Sequence, residues 1–314
     1  MMRTLNRPST ANCTLPMYIG FLLSEPNTPS CCRLAEVMEI SHDSVNRFLP
    51  REAYTPRDLF NESTRGLALK GGTLSVDDSV LDKPYSHQMT LVGYFWSGKH
   101  HRVVKGINLV VKGINLITLY YTDVYGQHRP VNYRLYDKAD GKTKNDYFQD
   151  MLAEVRAWGL EPAVVTGDAW YSGVDNLKRV RNHSMGFLFA LESNRRVAVA
   201  KGVWEQVQHL EVPEQGRMVW LRGFGQVKLY RTRLKDQLRH YAVYLPDGES
   251  LASFDRAAFL QCHDQHWQIE QYHRAIKQVC HVEHCQVRGQ VPNGITFFPR
   301  SAVMSSYSAC APWI

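Results

Sequence analysis

Between Arg33 and Leu49, apolar positions fall at Leu34, Val37 and Met38, break at Ile40-Ser41, and resume at Val45, Phe48 and Leu49. That spacing predicts two short helices joined by a tight turn, with Ser41 capping the second, which is a helix-turn-helix pattern. A plain helical hairpin packed on the rest of the protein has the same pattern. From Gly71 the period changes to two: Thr73 to Val76 reads as a strand running into Asp77-Asp78, and Ile117 to Thr122 and Pro130 to Tyr136 read as two more. A helix follows, with Thr143 as cap, a stripe at Tyr147, Met151, Val155 and Trp158, and Gly159 as its stop. Ala163 to Thr166 reads as a buried strand ending at Gly167-Asp168, followed by a helix through Val174, Leu177 and Val180 and a strand from Phe187 to Leu191. Strands that feed helices and return predict a mixed α/β sheet covered on both faces. Residues 193–255 alternate basic and apolar side chains between turn signals at Gly223, Gly225 and Pro246-Asp247-Gly248, an inserted antiparallel unit. The last strong helix runs from Asp255 to Lys277.

Composition widens this picture. The 314 residues, 44% of them hydrophobic, suffice for a sizeable core. A formal charge of +7 favours a polyanionic partner, nucleic acid before membrane. Seven Cys without a repeated CxxC spacing favour reduced thiols over a disulfide framework. The apolar stretch from Met17 to Leu23 follows Arg3 and Arg7, but its shortness, its Pro and the lack of a small-residue cleavage site argue against a secretory signal. No apolar run approaches a membrane span in length, so the expected place is the cytoplasm.

Three acids stand out by position. Asp78 closes the first strand, Asp168 the fourth, and Glu270 shares a face of the last helix with His263, His266, Arg274 and Lys277, while Trp267, Ile269, Tyr272 and Ile276 are left to pack the core. Ligands collect at the carboxyl ends of strands in open α/β sheets, and three carboxylates from separate elements can bring together two hard cations. Each acid taken alone also reads as a turn residue, a helix-entry residue or half of an ion pair with Arg274. Lys228, Arg231 and Arg233 could track a DNA backbone or lie on a solvated hairpin face, and Ser44 and Arg47 lie on the helix that would enter a groove. Cys280, His281, His284 and Cys285 resemble a zinc cluster, but Cys280 and His284 are one helical turn apart and no second pair is placed to complete four ligands, and His263 with His266 lacks the order of a zinc hydrolase.

The stretches DDSVLDKPYS (77–86), VVTGDAWYSG (164–173) and HWQIEQYHRAIKQ (266–278) resemble, in order and spacing, the three acidic motifs of insertion-sequence DDE transposases. The nearest branch is the IS-four-like group, whose catalytic Glu sits in a Tyr, Arg, Glu, Lys signature. The resemblance spans residues 15–290 and implies an RNase H-like mixed sheet flanked by helices. It implies Asp78, Asp168 and Glu270 as catalytic ligands of two Mg²⁺ ions, with Mn²⁺ as an alternative, and Lys277 on a DNA phosphate. Residues 1–65 would form a helical DNA-binding region, 66–192 with 256–290 the catalytic domain, 193–255 a β-rich insertion, and 291–314 an atypical tail. The implied activity is cleavage and joining of DNA at the inverted-repeat ends of the element, by a dimer in the synaptic complex, within the bacterial nucleoid.

The chain departs from the signature in three places. His263 and His266 stand where Tyr and Arg are expected; His266, like Arg274, is expected at DNA, since histidine can hydrogen-bond phosphate, but it is not a fixed cation near neutral pH. The tail PNGITFFPRSAVMSSYSACAPWI lacks a helical pattern, and a shifted reading frame near Asn293 would account for it. The phrase VVKGINL is printed twice over 103–116, an odd insertion that would invert the faces of a strand, so only Val110 to Leu116 is expected to pair while Val103 to Leu109 extends the strand or loops out. These departures motivate a second reading, an inactive remnant that binds element ends without cutting; a helix-turn-helix regulator would leave the spaced acids unexplained.

Overall fold

The computed structural model describes residues 12–25, 30–51, 54–83, 91–96, 110–234 and 237–284. Its N-terminal part is helical: α1 (Leu15–Ser24), α2 (Cys31–Val37), α3 (His42–Arg51) and α4 (Pro56–Ser63). The α2–α3 pair is the one expected from spacing, and Ser41 accepts the Asp43 N–H as its cap. Phe21, Leu34, Val45 and Phe48 close a small core among α1, α2 and α3. The stretch weighed as a secretory signal is thus part of α1, packed rather than extended.

The sheet begins with β1 (Thr73–Asp82), β2 (Gly93–Trp96), β3 (Val110–Thr122) and β4 (His128–Leu135). Helix α5 (Lys144–Ala157), strand β5 (Val164–Gly167), helix α6 (Val174–Asn182) and strand β6 (Gly186–Leu191) follow. β3 pairs antiparallel with β1 and β4, while β1, β5 and β6 run parallel. The order β4–β3–β1–β5–β6, with helices on both faces, is the RNase H-like arrangement. Thr143 caps α5 through a capping box, and Gly159, at φ +98°, ends it in the left-handed region.

Five further strands, β7 (Arg196–Ala200), β8 (Val203–Gln206), β9 (Arg217–Leu221), β10 (Gly225–Leu234) and β11 (Gln237–Tyr244), are antiparallel. β11 pairs with β6, so these strands continue the same sheet. Helix α7 (Gly248–Ser253) leads into α8 (Arg256–Gln278), capped by Asp255.

Two layers sandwich the central strands. On one face Leu74, Val76, Ile117 and Leu119 pack with Phe148, Met151 and Leu152 of α5. On the other, Leu81, Ile114 and Leu116 pack with Ile269, Tyr272 and Ile276 of α8. Trp267, expected in that core, is 44% exposed.

The second copy of the repeated phrase forms the start of β3, from Val110 opposite Trp96 to Leu116 opposite Ser79. A Cβ at Gly113 would stand 2.5 Å from the Leu81 carbonyl oxygen, so the close approach to β1 requires glycine there. The first copy, 103–109, lies outside the described residues, as does the tail 291–314.

Candidate active site

Side chains alternate across a strand, so two adjacent acids on β1 must face opposite layers. Asp78 shares the parity of Leu74 and Val76 and turns to the α5 side. Its Oδ2 accepts from Lys144 Nζ at 2.8 Å and Asn115 Nδ2 at 2.6 Å, and its Oδ1 accepts from the Tyr171 hydroxyl at 3.1 Å. Lys144 opens α5 and also lies over the Trp170 ring, 5.3 Å from its centroid. Asp77 turns to α8, where His273 Nδ1 stands 3.3 Å from its Oδ2; its Oδ1 accepts the Asp78 N–H at 2.8 Å. Burial opposes the Asp77 charge, but the hydrogen bond and attraction of His273 outweigh it and hold the carboxyl below its ordinary range.

Asp168 follows β5 directly and caps a single 3-10 turn, its Oδ1 accepting the N–H groups of Trp170 at 2.9 Å and Tyr171 at 3.3 Å. Its pKa is pushed up to about 7, first by burial and then by the charges of Asp77 and Asp78. Glu270, midway along α8, is also pushed up to about 7, by burial and then by Asp77, while Arg239 and Arg274 pull the other way. The β1 charge that weighs on Glu270 is that of Asp77. Asp77 therefore acts on both Asp168 and Glu270, whereas Asp78, turned to the α5 side, acts on Asp168. The sequence pattern put Asp78 at the close of the strand, but β1 runs on to Asp82, so both acids lie within it and alternation separates them.

Several residues expected at DNA are committed elsewhere. Ser44 is 1% exposed and accepts the backbone N–H groups of Asn12 and Cys13, so it faces inward. Lys228 donates to the carbonyls of Ala252 and Phe254 at 2.8 and 2.6 Å, tying α7 to β10. His266 meets Thr166 Oγ1 at 3.1 Å, and burial lowers its pKa to about 4, so it is neutral near pH 7 and turned into the sheet. Lys277 donates to the Val80 carbonyl at 2.7 Å and lies 3.8 Å from Glu283. Arg47, Arg233 and Arg274 are exposed, and Arg231 is partly so.

Residues 98–298 match the family described as "Transposase DDE domain". The chain belongs to this transposase family. The match contains Asp168 and Glu270 and begins beyond β1, so the choice between Asp77 and Asp78 rests on geometry. No curated protein matches the chain in sequence. Among solved structures, the "Drosophila P element transposase strand transfer complex" is similar at 10% identity and TM-score 0.30, over 57% of this chain and 38% of that one. The "Mos1 transposase paired-end complex with left transposon end" aligns at 13% identity and TM-score 0.23, over 60% and 61%. The "Mos1 mariner paired end complex with Mn" aligns at 14% identity and TM-score 0.19, over 58% and 59%. The chain thus spans less than two thirds of these proteins, and at such scores the likeness carries no argument about the site.

Among the described residues, no three His, Cys, Asp or Glu side chains stand close enough to hold a metal ion as they are oriented. The donor chemistry nevertheless fits a divalent cation in a DDE transposase. Hard carboxylate oxygens suit such an ion, and its charge would offset the burial, and after it the neighbouring acids, that raise Asp168 and Glu270. Of the residues that resemble a zinc cluster, Cys280 is buried against the N-terminal helices, and Cys285 lies outside the described residues.

His273, Lys144, Asn115 and Tyr171 were missed by sequence reasoning. His273 stands seven residues after His266, two helical turns, so its place on the inner face of α8 was legible. Nothing local to Lys144 points to a partner 66 residues earlier in the chain.

Proposed function

We propose that this transposase nicks and joins phosphodiester bonds at the inverted-repeat ends of its own element, with Asp77, Asp168 and Glu270 as its catalytic carboxylates. The observation that carries the reading is the family match over residues 98–298, which contains Asp168 and Glu270, together with Asp77 as the β1 acid whose charge acts on both of them. They would hold Mg²⁺ or Mn²⁺, two ions in the complete site, which when bound activates water and offsets charge on the leaving oxygen. Asp77, held ionised by His273, keeps negative charge in the site, and the raised acids Asp168 and Glu270 release their protons as a cation is taken up. Arg239 and Arg274 set positive charge near Glu270, which would attract a phosphate backbone.

Residues 1–65 serve in this reading as the region that recognises element ends, with Arg47 at its surface, and residues 193–255 as an insertion whose Arg231 and Arg233 follow the backbone of the DNA. Two protomers pair two ends, and the protein works at the nucleoid. Membership of the IS-four-like branch rests on the spacing of Glu270 and Lys277.

A second reading, an end-binding remnant without activity, draws on the duplicated phrase at 103–116 and on neutral His266 where a fixed cation is expected. One assay separates the two: purified protein with labelled inverted-repeat DNA and Mg²⁺, beside Asp168→Ala. Cleavage by the parent alone supports the enzyme. Binding without cleavage in both supports the remnant, and no binding in either sinks both.

A further inference from the structure

The polar residues that α8 turns toward the sheet include His273, which the catalytic reading above uses only to keep Asp77 ionised. His273 is 5% exposed, which is unusual for an imidazole unless both ring nitrogens are satisfied. They are: Nδ1 lies 3.3 Å from Asp77 Oδ2, and Nε2 lies 3.1 Å from Thr118 Oγ1. An ionised carboxylate only accepts, so Nδ1 carries the hydrogen in the contact with Asp77. Thr118 is fully buried on β3 directly opposite Asp77 in the β1–β3 register. The ring therefore reaches two neighbouring strands at the same level, from a helix that Ile269, Tyr272 and Ile276 pack onto the sheet.

We propose that His273 is a positioning residue that, anchored by Thr118, fixes the carboxylate of Asp77 for cation binding. The inference rests on Asp77 being a ligand. The Asp77 Oδ1 is already bonded to the Asp78 N–H at 2.8 Å, so the His273 bond to Oδ2 removes the remaining rotation of the group. Partners of this kind, hydrogen-bonded to a ligand rather than to the ion, set ligand orientation and are worth about 10- to 100-fold in metal affinity. The neighbouring Asp78 needs no such partner from α8, because Lys144, Asn115 and Tyr171 already hold it on the opposite face.

The test titrates the full-length protein with Mn²⁺, following bound ion by electron paramagnetic resonance and the accompanying shift in melting temperature. Four variants are compared with the parent: His273→Ala, His273→Asn, Thr118→Val and Asp77→Asn. His273→Ala should raise the half-saturating Mn²⁺ concentration about 10- to 100-fold. His273→Asn, whose amide keeps a donor near the place of Nδ1, should recover part of that loss. Thr118→Val preserves volume and should shift binding in the same direction by less, and it decides the matter if His273→Ala fails to fold. Wild-type Mn²⁺ affinity in both His273→Ala and Thr118→Val, with Asp77→Asn impaired, overturns the positioning role and leaves the catalytic reading intact. Wild-type affinity in Asp77→Asn overturns the reading beneath it.

Discussion

The two faces of β1 treat two neighbouring acids in opposite ways. Asp78 is neutralised on the α5 side by a lysine ammonium, an amide and a phenol, with carboxyl and ammonium 15% and 19% exposed. Asp77 meets His273 on the α8 side and the Asp78 N–H, and it adds its charge to Glu270 and, together with Asp78, to Asp168. The first arrangement satisfies its charge and stabilises the fold. The second leaves negative charge in excess, which is a liability for a core and a requirement for cation binding.

If that contrast is right, the largest stability loss comes from Asp78. Asp78→Asn leaves the Lys144 ammonium nearly buried without its counter-charge and should lower unfolding free energy by about 3 kcal/mol in urea denaturation. Asp78→Leu combined with Lys144→Met should recover most of that loss, because both charges leave together. Recovery by the single Asp78→Leu would break the account of a paired interior.

A pH series sharpens the other face. Asp168 and Glu270 have folded pKa values of about 7 against ordinary values of 3.8 and 4.5, so the folded state holds their protons more tightly. Their stabilising contribution is complete below those ordinary values and is lost as pH rises through about 7. In chelator-treated protein the melting temperature should fall between about pH 5 and pH 8, and Mg²⁺ should restore it most at the upper end. A Mg²⁺ effect equal at both ends would contradict cation uptake by raised carboxyls.

The same distinction between inward and outward polar groups applies to α3, with smaller effects. Ser44→Ala deprives two backbone N–H groups of their acceptor and should cost about 1–2 kcal/mol by thermal or urea unfolding. Arg47→Ala should change stability by less than about 0.5 kcal/mol and reduce the salt dependence of DNA binding by about one counterion. A reversed pattern would place α3 the other way round.

The period of the sequence marks most of this architecture because each strand and helix of the catalytic sheet buries one clear stripe. Thr143, Gly159 and Asp255 mark helix ends through local chemistry that requires no tertiary knowledge. The repeat at 103–116 placed its second copy in the sheet through the continuity of Leu116 with Ile117 and through the requirement for glycine at 113. Strand β2 and helix α4 were not foreseen: β2 is four residues long, and α4 begins at Pro56 with no long apolar stripe. The choice between Asp77 and Asp78 was not legible either, because it depends on where β1 ends, and the polar run after Val76 hides that end. Basic residues were the least legible, since Lys228 and Arg233 share a strand yet one ties down a helix and the other meets solvent.

The central claim is that Asp77, on the α8 face, is the β1 carboxylate that works with Asp168 and Glu270. The most direct measurement is Mg²⁺-dependent cleavage of labelled inverted-repeat DNA by Asp77→Asn and Asp78→Asn, at a temperature where circular dichroism shows both folded. Asp77→Asn should lose about 10³-fold or more in rate, corresponding to about 4 kcal/mol of transition-state stabilisation, with Asp78→Asn within about tenfold of the parent. Loss of cleavage in Asp78→Asn with activity retained in Asp77→Asn would contradict the account.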